Sequence, residues 1–160
     1  MKKILLIVVL LFVAIQFIPV AHNENKEATN KSIEQVHHVP EAVLTTLKTS
    51  CYDCHSNQTH YPWYAKIQPV AFWIGDHIEE GKDELNFSKF GDYSLRRQFH
   101  KLEEISEQIE ENEMPLKSYT FIHGNAVLSD IQKKEMKEWV TSLRDSFQRS
   151  YPADSLKRKK

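Results

Sequence analysis

The chain opens with an apolar run that lacks periodicity. From Ile4 to Val20 only Gln16 and Pro19 interrupt it, and Lys2 and Lys3 precede it. A positive start followed by a long apolar segment is the pattern of an export leader. The run lies near the lower limit of ~17 residues for a helix that crosses a bilayer. Its small-x-small cleavage pattern is poor, because Pro19 stands two places before Ala21. Residues 1–21 are therefore expected to form an uncleaved anchor with its lysines inside. A cleaved signal is the other reading, and both export the rest of the chain.

Residues 22–39 are rich in Asn, Glu, Lys and Thr and poor in apolar groups. They are expected to form a flexible tether, with His37 and His38 exposed at its end. From Pro40 the rhythm becomes helical. Pro40 suits the first position of a helix, and Val43, Leu44 and Leu47 give it one apolar face running into Cys51. A second helix starts at Pro69, with Val70, Trp73, Ile74, His77 and Ile78 on one face. Gly81 is expected to end it as a left-handed cap.

A third helix spans Leu95 to Asn112, with Leu95, Phe99, Leu102, Ile105 and Ile109 as its buried stripe. Its glutamates, Glu103 to Glu111, form a solvated face. Tyr119, Phe121 and Ile122 are expected to anchor the following loop in the core. Ser129 and Gln132 make a capping box for the last helix. Ile131, Met136, Trp139, Val140, Leu143 and Phe147 line that helix's inner face. Residues 40–150 thus read as one all-α domain, followed by a solvated basic tail over 151–160.

Composition narrows the picture. Four glycines and scarce apolar–polar alternation argue against sheet. The net charge of −1 over 160 residues gives no electrostatic case for a nucleic-acid partner.

The candidate chemistry lies at Cys51-Tyr52-Asp53-Cys54-His55, which holds the chain's only two cysteines. Cys-x-x-Cys-His is the attachment signature of a c-type haem. Each thiol can add across one vinyl group, and the following imidazole can bind the iron. One helical turn puts i and i+3 on the same face. Three other readings use the same residues: a thiol–disulfide pair, a zinc site completed by His55 and His60, and two buried small side chains. The first lacks a surrounding βαβ pattern, and the second lacks a second Cys-x-x-Cys. Covalent haem c, one per chain, is the expected cofactor, with Cys51 and Cys54 as attachment points and His55 as proximal ligand.

For the distal ligand the sequence offers Met114 and, as the alternative, His77. Met114 follows a helix and precedes Pro115, which pushes its backbone out of the helical region. Met1 and Met136 are the other methionines, and Met136 falls mid-helix. Tyr61-Pro62-Trp63-Tyr64 supplies rings for the core or for a haem wall. Tyr64 and Trp73 are assigned to the wall.

The chain resembles the bacterial haem-binding domain family, a c-type-cytochrome-like group of membrane-tethered or exported proteins. The resemblance covers Val36 to Phe147. It rests on Cys51 to Asn57, Tyr61-Pro62-Trp63-Tyr64, Trp73 with His77, Leu85-Asn86-Phe87-Ser88, and Glu113-Met114-Pro115 with Tyr119. It implies a cytochrome c-like mono-haem helical domain held through Cys51, Cys54 and His55. The assignment of Met114 follows c-type cytochromes, which often end their distal loop in Met-Pro.

With both axial positions filled, the expected role is a single-electron carrier rather than an enzyme. The domain would lie in a bacterial periplasm, held at the membrane by its N-terminal helix and meeting redox partner proteins. A haem-based gas or redox sensor with an open sixth position is one alternative. A haem peroxidase using His77 or His100 as a distal acid–base group is another.

Overall fold

A computed structural model describes residues 1–24 and 30–157. It is all-helical, and among the described residues the only β pairing is an isolated bridge between Glu24 and Gln58. The α-helices are α1 (Lys2–Ile15), α2 (Ile33–Val36), α3 (Glu41–Ser50), α4 (Tyr52–His55), α5 (Val70–Glu84), α6 (Leu95–Glu110), α7 (Lys117–Thr120), α8 (Asp130–Ser150) and α9 (Ala153–Leu156). Short 3₁₀ turns cover Trp63–Lys66, Phe87–Asp92 and Gly124–Ala126.

The core forms where α8 lies against both α3 and α6. Phe99, Leu102, Ile105 and Ile109 recur at helical spacing on α6 and are all buried. Met136, Trp139, Val140 and Phe147 answer them from α8, and Val43 and Leu47 from α3. Apolar stripes at a 3.6-residue period drive this packing, because each helix removes one face from water. The capping box at Ser129 and Gln132 is present, so α8 starts where its sequence says.

Several expectations are revised. The tether expected over 22–39 is stitched to the domain at both of its described ends. Asn23 Nδ2 donates to the Ser56 carbonyl at 2.8 Å and to Thr59 Oγ1 at 2.9 Å, and Lys82 Nζ donates to Asn23 Oδ1 at 2.6 Å. Ile33 is fully buried, and the Gly91 N–H donates to the Lys31 carbonyl at 2.8 Å. His37 is half-buried, bonded to Gln98 Oε1 at 2.8 Å and packed on Phe90 and Phe147. One buried isoleucine outweighs a polar surrounding sequence. The part of the tether over residues 25–29 lies outside the described residues.

Helix α5 does not end at Gly81 but runs through it to Glu84. Helix α6 ends at Glu110, and Asn112 takes the left-handed conformation, which asparagine tolerates. Phe121 and Ile122 are exposed rather than core anchors, and so is Ile131. Leu128, just before the α8 cap, is buried in place of Ile131. The tail contributes Leu156 to the core through α9 packed on α6, while residues 158–160 lie outside the described set.

The expected anchor is helical only over the 14 residues of α1, a length of about 21 Å at 1.5 Å per residue. No described helix is long and apolar enough to cross a membrane. Gln16 terminates α1. Its Nε2 donates back to the Phe12 carbonyl at 3.0 Å and across to the Gln68 carbonyl at 3.2 Å. The Gln68 N–H returns a bond to Gln16 Oε1 at 2.9 Å.

Candidate functional site

Cys51 is the hinge of the site. It closes α3 and caps α4 with φ −128° and ψ −38°, so the helical path breaks and restarts at this thiol. The N–H groups of Cys54 and His55 both donate to the Cys51 carbonyl, at 3.2 and 2.9 Å. This single turn carries both sulfur atoms and the imidazole.

Helix α5 packs against that turn. A Cβ on Gly81 would lie 2.9 Å from the Cys54 carbonyl oxygen and 3.2 Å from Cys54 Cβ. Glycine is required here for close approach, not for a turn. The approach brings two carbonyl oxygens to His55: Nδ1 lies 2.8 Å from Gly81 O and 3.0 Å from Leu85 O. Carbonyl oxygens only accept, so Nδ1 carries the proton and Nε2 keeps its lone pair. Burial lowers the His55 pKa from its ordinary value, against the opposing pull of the two carbonyls, and so favours the neutral ring. A neutral imidazole with a free Nε2 is the form that ligates a metal.

Burial pushes the Cys51 thiol up to about 12 and the Cys54 thiol up to about 11. Both are free thiols. Among the described residues no group of three or more His, Cys, Asp and Glu side chains could hold a metal ion, so the zinc reading lacks its ligand set.

Two open clefts, of about 830 and 870 Å³, flank the motif. They share Cys51, His55, Glu84 and Met114. Leu85, Phe87, Ile105 and Ile109 give the second cleft its apolar wall, with Lys101 and Glu104 beside them. Met114 follows the end of α6, its N–H donating to the Gln108 carbonyl at 3.2 Å, and its side chain borders both clefts. His77 lines the first cleft only. Its Nδ1–H donates to the Trp73 carbonyl at 2.9 Å, which leaves its Nε2 free as well. The structure therefore gathers Cys51, Cys54, His55, Met114 and His77 around one space.

Tyr64 and Trp73 line an adjoining cavity, which meets the first cleft at Asp53, Cys54, His77, Leu116 and Tyr119. Trp73 stands one turn before His77 on α5, and their rings meet at 4.4 Å, tilted at 49° to each other. His100 lies elsewhere, among Arg96, Arg97 and Lys101, and faces Glu103 at 3.5 Å.

Sequence reasoning gave no chemical role to Asp53, Tyr119 or His123. Tyr119 Oη donates to Asp53 Oδ2 at 2.7 Å, and the His60 N–H donates to Asp53 Oδ1 at 2.9 Å. The pairing ties the α7 segment to the Cys-x-x-Cys-His turn across 66 residues, a contact no periodicity announces. The only available signal was the acidic residue inside Cys-x-x-Cys.

The model of the haem-binding domain family matches residues 10–142, and the chain belongs to that family. No curated protein and no solved structure matches it. The residues present fit the cofactor. An apolar-walled space carries a neutral imidazole with a free nitrogen on one turn with two thiols, and a thioether borders the same space.

Proposed function

We propose that the chain holds one haem c through Cys51 and Cys54 and serves as an exported, membrane-tethered single-electron carrier. The observation that supports this most is the pair of carbonyls, Gly81 and Leu85, that orient His55 beside both thiols. They fix the tautomer and aim of the proximal ligand before any cofactor arrives. Met114 completes the set as distal ligand, with His77 as the alternative. A thioether there favours the reduced state and raises the potential. The bound group supplies a reversible one-electron change at its iron. The chain's part is to orient it through His55, exclude water with Leu85, Phe87, Ile105 and Ile109, and leave one edge open. Attachment at the membrane raises the effective concentration of redox partner proteins.

The test is expression with a haem-maturation system, followed by mass measurement and spectra. Haem mass retained after denaturation, with a low-spin ferric spectrum and a weak near-infrared sulfur–iron band, is the expected result. Pigment lost to acidified organic solvent would sink the covalent reading. A ligand-sensing module is the second reading. It is favoured by the placement of Met114 in a half-exposed loop rather than on a helix. A high-spin spectrum that shifts at once with CO selects it.

A further inference from the structure

Helix α7 is held to the domain by polar ties rather than by packing. It buries no side chain, and Phe121 and Ile122 just after it are exposed. Two long-range hydrogen bonds fasten this segment. At its far end the Tyr64 hydroxyl donates to His123 Nε2 at 2.9 Å, which leads to the Trp63–Lys66 turn. In its middle the Tyr119 hydroxyl donates to Asp53 Oδ2 at 2.7 Å, which leads to the Cys-x-x-Cys-His turn. The receiving end is rigid. Asp53 Oδ1 accepts from the His60 N–H at 2.9 Å, and the Asp53 carbonyl accepts from Thr59 Oγ1 at 2.6 Å.

Asp53 stands two residues before His55, and Tyr119 stands five residues after Met114. Met114 is fixed on its other side by α6, because the Glu113 and Met114 N–H groups donate to the Gln108 carbonyl at 3.0 and 3.2 Å. Leu116 and Tyr119 line the same cleft as Met114 and His55. The Met114 loop therefore hangs between the end of α6 and the turn that carries His55. The phenol is its fastening at the second end.

We propose that Tyr119 is a positioning residue: through Asp53 it holds the Met114 loop against the His55 turn and so sets how firmly the thioether stays in place. This rests on Met114 as the distal ligand of a bound haem, the reading given above. Without the phenol's bond the loop lifts from one end while α6 keeps the other. The fraction of molecules with the thioether withdrawn then rises, and an outside ligand binds in proportion to that fraction.

The test is an imidazole titration of the ferric, full-length holoprotein, followed by the near-infrared sulfur–iron band. Imidazole enters only when the thioether is withdrawn, so the concentration that halves the band reports the hold on Met114. Tyr119→Phe is expected to lower that concentration about tenfold, close to the worth of one hydrogen bond to a charged group. Asp53→Ala should lower it alike, and the double variant no further, because each removes the same bond. Asp53→Asn should recover most of the loss, since an amide still accepts from the His60 N–H and gives to the phenol. Ile33→Val trims the core at α2 and lowers general stability, and it should leave the halving concentration unchanged. In the chain without haem, Tyr119→Phe should also quicken amide exchange over α7.

A titration of Tyr119→Phe that matches the unaltered protein would overturn the inference and spare Met114 as ligand. So would an equal shift in Ile33→Val, additive shifts in the double variant, or unchanged amide exchange. A band absent from the unaltered holoprotein, or one that survives Met114→Ala, overturns the Met114 assignment itself and the inference with it.

Discussion

The carbonyl oxygen of Gly81 stands 2.8 Å from Nδ1 of His55, although 26 residues separate them. The contact exists because α5 crosses the Cys-x-x-Cys-His turn where it has no side chain. Gly81→Ala would place a methyl 2.9 Å from the Cys54 carbonyl, a backbone atom that cannot swing aside. Separation of α5 from α4 is expected to cost about 1–3 kcal/mol, the usual range for overpacking. Urea denaturation of the purified protein should show the lower midpoint, and the holoprotein should show a changed potential as His55 loses its acceptors. An unchanged midpoint would mean that the crossing is looser than described.

Met114 borders both clefts beside His55, and this gives a spectroscopic prediction. Met114→Ala in the holoprotein should convert the ferric spectrum from low-spin to high-spin. If the spectrum stays low-spin, His77→Ala should produce the conversion instead, because His77 Nε2 is free in the same cleft.

Ile33 tests where the domain begins. It is fully buried with Phe87, Phe90 and Phe147 in the core. Ile33→Ala is expected to destabilise the protein by about 2–5 kcal/mol. A loss below half of the lower figure in chemical denaturation would return this segment to the tether.

The phenol of Tyr119 gives a pH dependence. Its pKa is raised from the ordinary value of 10.0, first by burial, then by the hydrogen bond to Asp53 and that residue's negative charge. Above the ordinary value the unfolded chain releases this proton while the folded protein keeps it, so the unfolded state gains. The stabilisation is whole below about pH 10 and is lost as pH rises toward the raised value. Denaturation midpoints from pH 7 to 11 should therefore fall less steeply in Tyr119→Phe, and superimposable profiles would contradict the Tyr119–Asp53 bond.

How much of this was legible in the sequence depends on the range of the interactions. The stripe Phe99, Leu102, Ile105, Ile109 and the cap at Ser129 are local patterns, and both were readable. Cys51, Cys54 and His55 were readable as a motif because one turn delivers all three. Gly81 was misread because a glycine after an apolar stripe looks the same whether it ends a helix or admits a neighbour. Tyr64 and Trp73 line a cavity that adjoins the cleft at Cys54, and composition marks a ring as wall material without saying which part of a continuous space it walls. The Tyr119–Asp53 and Tyr64–His123 pairs, 66 and 59 residues apart, leave no trace in periodicity.

The paired amides of Gln16 and Gln68, with Asn23 clasped by Ser56, Thr59 and Lys82, turn a supposed string into a bracket. A string would let the domain swivel and show any side to its surroundings. A bracket sets its attitude, so whatever surface receives α1 always meets the same flank, the one bearing Gln68 and Gly75.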